Sequence, residues 1–179
     1  AEGDRVQALA TLQLADLWRD PAMKWPTRLD WSKIPSALAG TWPKPVPPRY
    51  IFKGGSTLQL AEEFAQALRA PFVAIDTEFD RDTREITLLG IGWPVNGTVY
   101  GIQVQRALFV PTLRDIVGVL LRDVVSRVPV VFQNAVADIP VLAKAFDIQY
   151  QHYVRIDDSM LSHALLWSEW PHTLEFLAS

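Results

Sequence analysis

The chain has 179 residues, with 17 lysines and arginines against 20 aspartates and glutamates, and its formal net charge is -3. This length suffices for one domain with a hydrophobic core and an appendage. No apolar run approaches the ~20 residues of a membrane-spanning helix, and the first residues do not resemble a signal peptide. The charge gives no broad basic surface for nucleic acid, so binding would depend on metal ions or a few placed arginines and lysines. The absence of cysteine excludes disulfides and thiolate metal sites.

Residues 1–50 are predicted to form an N-terminal extension. Residues 5–19 carry leucines and valine at helical spacing, which predicts an amphipathic helix. The stretch that follows is rich in proline and tryptophan, and TWPKPVPPRY at 41–50 is too proline-rich for a helix or a central strand. The proline-rich stretch is therefore predicted to be an extended linker, and the tryptophans of this segment, four of which lie at or before residue 42, predict that it packs against another surface.

From residue 51 the pattern changes to alternating helices and strands. The predicted elements are, in chain order, a helix at 54–71 with Ser56 as its N-cap, a strand at 72–76, two strands at 85–93 and 98–104, a helix at 111–128, a strand at 129–134, and helices at 138–146, 157–167 and 172–178. The Asn96-Gly97 pair predicts a tight hairpin between the second and third strands. The order indicates an α/β fold, with a sheet that starts as a hairpin and is flanked by helices.

Two carboxylates follow an apolar strand in FVAIDTEFD, residues 72–80. Residues i and i+2 of a strand point to the same face about 6.6 Å apart, so Asp76 and Glu78 are predicted to lie side by side, with Thr77 on the opposite face. Two close carboxylates repel each other, which favours a compensating hard cation such as Mg²⁺ or Mn²⁺. A bare pair of this kind can also simply face solvent at a strand end, so the prediction requires a second motif.

The second motif is VVFQNAVADIPVL at residues 130–142, where an apolar strand runs into a helical turn. If this strand lies beside the first, Asp138 points back toward Asp76 and Glu78 at the same sheet edge. Taken alone, Asn134 or Asp138 could merely cap a helix. Taken with the first motif, the order of strand, acidic pair, hairpin, helix, strand and acid is much more specific.

These motifs resemble those of the DEDD superfamily of 3′–5′ exonucleases, which have an RNase H-like fold. FVAIDTEFD resembles the first motif, FQNAVADIPVL the second, and DSMLSHALLW followed by HTLEFLA the stretch before the third. The resemblance covers residues 52–179, so an exonuclease domain is expected at 51–179. It implies two-metal hydrolysis of phosphodiester bonds with Mg²⁺ or Mn²⁺. Asp76 would bridge both ions, Glu78 would bind one and position the attacking water, and Asp138 would hold the second.

Substrate contacts are expected from residues beside these acids. The resemblance implies that Asn134 orients the site or contacts the substrate. Thr77 is also predicted to contact the substrate. Phe79 could stack on the terminal base, which is worth ~1–3 kcal/mol per base, or could be an ordinary aromatic at the rim. Arg81 and Arg84 could contact phosphates of a single strand or be solvated charges of a loop.

The phrases DSML and HTLEFLA are most similar to the proofreading domain of family A DNA polymerases. The expected partners are then the 3′ end of single-stranded DNA and the rest of a polymerase or replication complex, in the cytoplasm of a bacterial or phage-infected cell at the nucleoid or replisome. No membrane partner is expected. An RNase D-like enzyme acting on RNA is the alternative, because DTEF is equally typical of it, and a catalytically incomplete scaffold is a third reading.

The family's fourth acid, with its tyrosine or histidine partner, is expected after HTLEFLA and thus beyond Ser179. HYVRID at 152–157 contains the same spacings, since Tyr153 precedes Asp157 by four residues and His152 precedes it by five. It comes before the helix that should precede the third motif, so it is not taken as that motif. Asp157 or Asp158 is expected instead to cap the helix DSMLSHALLW.

Overall fold

The computed structural model describes residues 31–36, 38–41, 49–53, 57–168 and 171–174. The chain divides into two compact units, Pro47–Leu166 in one, and Ala1–Val46 with Trp167–Ser179 in the other. Residues 31–36, in the second unit, are helical. The predicted helix at 5–19, the N-cap at Ser56 and most of the predicted helix at 172–178 lie outside the described residues.

The first unit, Pro47–Leu166, alternates strands and helices. In chain order its elements are β1 Arg49–Lys53, α1 Thr57–Ala67, β2 Val73–Phe79, β3 Ile86–Val95, β4 Thr98–Val104, α2 Pro111–Arg127, β5 Val130–Phe132, α3 Ala135–Phe146, β6 Ile156–Asp158 and α4 Ser159–Leu166. Two short 3₁₀ turns lie at Arg106–Phe109 and Tyr150–His152.

The six strands form one mixed sheet in the order β1-β4-β3-β2-β5-β6. β2, β3 and β4 are antiparallel neighbours, whereas β1 on β4, β5 on β2 and β6 on β5 are parallel. The predicted hairpin is confirmed, because Val95 pairs with Thr98 across a two-residue turn. Asn96 and Gly97 both have positive φ, 49° and 76°, as a type I′ turn requires.

Buried aliphatic and aromatic side chains from both the sheet and its helices form a single core. Trp93 is 1% exposed and stacks on Tyr100 with ring centroids 6.4 Å apart. On α2, Gly118 lets α3 approach closely, since a Cβ there would lie 3.1 Å from the Phe146 ring. Arg122 of α2 donates to the Phe146 carbonyl at 3.0 Å, and so satisfies an acceptor at the carboxyl end of α3.

The predicted α/β class, with a mixed sheet flanked by helices, agrees with this architecture. Two strands were not predicted. β1 lies in a proline-rich region and pairs parallel with β4 at the sheet edge, and β6 has only three residues. Because β6 ends at Asp158, α4 begins at Ser159 and not at Asp157. The helix that carries Asp138 begins earlier than predicted, at Ala135. Within the described residues, no helix has the length and apolar character to cross a membrane.

Candidate active site

The first two acids lie on one face of β2, near its carboxyl end. Along this strand buried and exposed side chains alternate, so that Asp76 and Glu78 are exposed while Thr77 between them is buried. This is the arrangement predicted from the strand period. In the described part of the chain, no hydrogen bond or ion pair engages either carboxylate. A ledge of two adjacent negative charges therefore faces outward, and we call Asp76 and Glu78 the acidic ledge.

The third acid lies on the helix that follows β5. Asp138 is in the first turns of α3 and is 4% exposed. Its Oδ1 accepts a hydrogen bond from the Thr77 backbone N–H at 3.0 Å and another from the Thr77 hydroxyl at 2.6 Å. The pairing of β5 with β2 brings α3 to the end of β2, because Val73 and Val130 are partners in the parallel ladder. Asp138 is thus fixed to the strand that carries the acidic ledge.

The environment of Asp138 is negative as well as buried. Burial raises the pKa of its carboxyl group, the two hydrogen bonds from Thr77 lower it, and the charges of Asp76 and Asp158 raise it further. The Asp138 carboxyl is thus close enough to Asp76 for their charges to interact, while its hydrogen bonds are to Thr77 on the buried face of β2. An uncompensated cluster of negative charge of this kind favours a bound cation or a proton.

Tyr153 is a second titratable group beside Asp138. Burial, and then the negative charge of Asp138, raises the pKa of its phenol well above the usual range. The ring packs edge-on against Phe132, with centroids 6.0 Å apart. Its hydroxyl is buried and has no hydrogen-bond partner among the residues described.

Sequence reasoning missed the part that Asp158 plays. This residue is 8% exposed and ends β6, beside β5. Its Oδ1 accepts from the N–H groups of Asn134 (3.2 Å), Met160 (2.9 Å) and Leu161 (3.2 Å), and its Oδ2 accepts from Ala135 N–H at 2.7 Å. Asp158 therefore caps α4, the role that the sequence predicted for either Asp157 or Asp158. It also caps the start of α3, which was not predicted. The only signal in the sequence was an aspartate just before an apolar helix.

The three residues predicted to contact the substrate differ in their burial and in their hydrogen bonds. Thr77 is 6% exposed and both its donors serve Asp138, so it supports that acid and offers no exposed group. Asn134 is half-buried at the N-cap of α3, with φ 71°, and its side chain makes no capping hydrogen bond. Phe79 is half-buried at a bulge beside Glu78, and the Arg84 guanidinium lies 5.2 Å from its ring centroid.

The alternative motif at 152–157 has separate local roles. Asp157 forms an ion pair with Arg155 at 2.9 Å. The His152 Nδ1 accepts from the Gln149 backbone N–H at 3.0 Å and closes a short capped turn. These contacts do not link Asp157 to the acidic ledge.

The donors near the ledge suit a hard divalent cation in their chemistry, since all are carboxylate oxygens and the chain has no cysteine. The ledge carboxylates are exposed, and the negative charge around Asp138 lacks compensation. In the described ranges, however, no three aspartates, glutamates or histidines are grouped closely enough to hold one ion. One oxygen of Asp138 is already used by Thr77. The residues therefore fit a cation in type and in charge, and Asp138 would contribute through its other oxygen.

The comparison with protein families identifies this architecture. A family model described as 3′–5′ exonuclease matches residues 54–179, well over half of the chain. The chain therefore belongs to the 3′–5′ exonuclease family, and its domain is of the DEDD type. Members of this type use divalent metal ions and act on nucleic-acid 3′ ends. No curated protein matches the chain.

Several solved structures are similar to parts of this chain, and the RRP6 core shares its fold. A mutant of the catalytic core of RRP6 from Trypanosoma brucei is 20% identical with a TM-score of 0.53, over 75% of this chain and 35% of that one. Escherichia coli RNase D is 14% identical with a TM-score of 0.45, over 65% of this chain and 28% of that one. An EXD2 exonuclease domain soaked in Mg is 16% identical with a TM-score of 0.41, over 65% and 62%. The predicted RNase H-like fold is confirmed, and the chain spans about a third of the length of the RRP6 core.

Proposed function

We propose that this chain is the proofreading exonuclease domain of a DNA polymerase, removing nucleotides from the 3′ end of single-stranded DNA with Mg²⁺ or Mn²⁺. The observation that carries the proposal is the pair of hydrogen bonds that Asp138 accepts from Thr77, the residue that separates the two ledge acids in sequence. The family match and the polymerase-like phrases DSML and HTLEFLA support the assignment. Such a domain would work in the cytoplasm at a replisome.

In this proposal Asp76, Glu78 and the second carboxylate oxygen of Asp138 would hold the ions. Two bound ions would supply a hydroxide nucleophile at neutral pH and stabilise the leaving 3′-oxygen. Thr77 would fix the orientation of the Asp138 carboxylate, because it holds one oxygen through two donors.

Recognition of the strand end would come from groups near the ledge. Phe79 would offer its ring to the terminal base, and Arg84, already held over that ring, would face a phosphate. Asn134 would lie on the other side, at the first turn of α3. A few side chains near the ledge would then bind the nucleic-acid strand without a broad basic surface.

The direct test is degradation of 3′-labelled DNA and RNA oligonucleotides by the full-length protein, with and without Mn²⁺. Mn²⁺-dependent shortening from the 3′ end is expected, with loss in Asp76→Ala and no change in Asp115→Ala, an exposed aspartate on α2. Metal-independent shortening, or wild-type activity in Asp76→Ala, would refute the proposal.

A second candidate is an RNase D-like enzyme that processes RNA, favoured by the DTEF sequence at residues 76–79. The same assay separates the two, because a proofreading domain should degrade the DNA strand at least as fast as the RNA strand. Strong preference for RNA would favour the second candidate. A protein that binds Mn²⁺ but cleaves neither strand would indicate a non-catalytic scaffold.

A further inference from the structure

We propose that Asp158 is a positioning residue for the exonuclease reaction, because it ties the start of the helix that carries Asp138 to the start of α4. This inference rests on the proposed nuclease function. It assigns a positioning role to a buried carboxylate that does not belong to the three motif acids and that accepts hydrogen bonds from the starts of two helices.

The first turn of α3 depends on an acceptor from elsewhere in the chain. The first N–H groups of a helix have no partner within it, and an N-cap side chain usually accepts one of them. Asn134 stands at this position but makes no such bond. Asp158 accepts instead from the N–H groups of Asn134 and Ala135, at 3.2 and 2.7 Å.

The position of Asp138 follows from that anchor. Asp138 comes four residues after Asn134, about one helical turn, so the two lie on the same side of α3. Rotation or fraying of the first turn would move the Asp138 carboxylate directly. Thr77 restrains the side chain of Asp138, and Asp158 restrains the backbone that carries it.

The same carboxylate fixes the next helix. Its Oδ1 accepts from Met160 and Leu161 at the start of α4, and the Ser159 hydroxyl donates to the Phe132 carbonyl at 3.1 Å. Phe132 and Asp158 are partners in the parallel ladder of β5 and β6. The two strand-to-helix junctions are therefore bound to each other at their buried ends.

The substitution Asp158→Asn separates positioning from simple capping. Asparagine caps helices about as well as aspartate, so its oxygen can keep the bonds to α4. Its NH₂ group replaces Oδ2 and meets the Ala135 N–H donor, which breaks the shorter of the two bonds to the start of α3 and leaves only the 3.2 Å bond from Asn134 N–H. Asp157→Asn is the matched control, because it removes the same charge from the adjacent residue, whose carboxylate pairs with Arg155 and with no other side chain in the described ranges.

Two measurements on the full-length protein test the role. In Asp158→Asn, amide hydrogen exchange at Ala135 is expected to become roughly tenfold faster, while Met160 and Leu161 keep their protection. The kcat for Mn²⁺-dependent cleavage is expected to fall roughly 10–100-fold with little change in KM, as for other supports of metal ligands. Asp157→Asn should stay within about twofold of wild type in both measurements.

Unchanged kcat in a folded Asp158→Asn protein would overturn the role, whether or not the exchange at Ala135 changes. If this variant fails to fold, Ser159→Ala removes the second tie between the same junctions, and a several-fold lower kcat is expected; an unchanged kcat would again overturn it. A wild-type protein without metal-dependent cleavage would refute the proposed function. An active wild type with an equally active Asp158→Asn variant would refute only the positioning role.

Discussion

Thr77 donates its backbone N–H and its hydroxyl to the same oxygen of Asp138, at 3.0 and 2.6 Å, although the two residues are 61 positions apart in sequence. Thr77, which separates the two ledge acids in sequence, therefore fixes the carboxylate of the third acid. Side chains alternate along β2, so Asp76 and Glu78 face outward and Thr77 faces inward. One short segment therefore exposes two acids and donates hydrogen bonds to the third.

Removal of the Thr77 hydroxyl should delete one of the two hydrogen bonds to Asp138 without leaving a large cavity. Thr77→Val is expected to lower the free energy of unfolding by about 1.5–3 kcal/mol, the usual worth of a hydrogen bond to a charged group. The pKa of Asp138 should rise further, because a bond that lowers it is lost. Urea denaturation measures the first effect, and the acid limb of the pH–rate profile measures the second.

Thr98→Val is the control for that change, since Thr98 is a half-exposed threonine at the start of β4. It should alter stability by less than about 0.5 kcal/mol. Equal effects of the two substitutions would contradict the special role of the Thr77 hydroxyl.

Neutralisation of Asp138 should stabilise the protein while it abolishes cleavage. Burial, and then the charges of Asp76 and Asp158, hold the pKa of Asp138 above its ordinary value of 3.8 in the folded chain. The folded state therefore binds the Asp138 proton more tightly than the unfolded state does, and stability falls as the pH rises through the folded pKa. Asp138→Asn should be more stable than wild type at about pH 7, and this gain in the free energy of unfolding should shrink toward acid pH.

Denaturation curves of wild type and Asp138→Asn across this pH range measure the difference, with Asp115→Asn as the exposed control. Because a divalent ion would compensate the same charges, added Mn²⁺ should stabilise wild type and not Asp138→Asn. A variant that is less stable than wild type at neutral pH, with the deficit vanishing in acid, would contradict a raised pKa of Asp138 in the folded chain.

Arg84 should contribute to binding of the nucleic-acid strand and not to the chemical step. Its guanidinium is fixed over Phe79, next to Glu78, and it makes no ion pair within the described ranges. Arg84→Ala is expected to raise KM for a single-stranded oligonucleotide roughly three- to tenfold, with kcat little changed, and to reduce the salt dependence of binding by about one phosphate contact.

Arg81→Ala serves as the comparison, because Arg81 is an exposed arginine of the same turn and makes no described contact with Phe79. Its effect on KM should be clearly smaller. If Arg84→Ala lowered kcat at unchanged KM, a role in strand binding would be refuted.

Close contact between α2 and α3 should make Gly118 sensitive to size. A Cβ at this position would lie 3.1 Å from the Phe146 ring, so Gly118→Val should overpack the interface and cost about 1–3 kcal/mol of stability. Val119 next to it is 71% exposed, and Val119→Ala should change stability by less than about 0.5 kcal/mol. Thermal unfolding of both variants measures this, and equal losses would contradict the packing argument.

The sequence predicted those parts of the site that depend on local periodicity. The alternation of two residues placed Asp76 and Glu78 on one face and Thr77 on the other, and Asn96-Gly97 specified the hairpin by its tolerance of positive φ. Both features follow from neighbours along the chain, so one sequence suffices for them.

Contacts between distant segments were not predictable in the same way. The bond between Asp138 and Thr77 depends on the register of β5 against β2, which no local pattern specifies. The dual cap by Asp158 depends on β6, a strand of three residues that is too short to give a periodic signal. An aspartate before a helix indicates one cap, whereas its second set of partners becomes visible only when two strands lie side by side.

The antiparallel strands β2–β4 and the parallel strands β5 and β6 are expected to form at different stages of folding. β2, β3 and β4 follow one another through short connections, whereas β5 and β6 join through crossovers between residues far apart in sequence. Closure of long loops costs entropy before any contact repays it, so the meander should assemble first on refolding. The carboxylates then meet only in the last stage of folding, and heat or denaturant should abolish cleavage before it melts the hairpin.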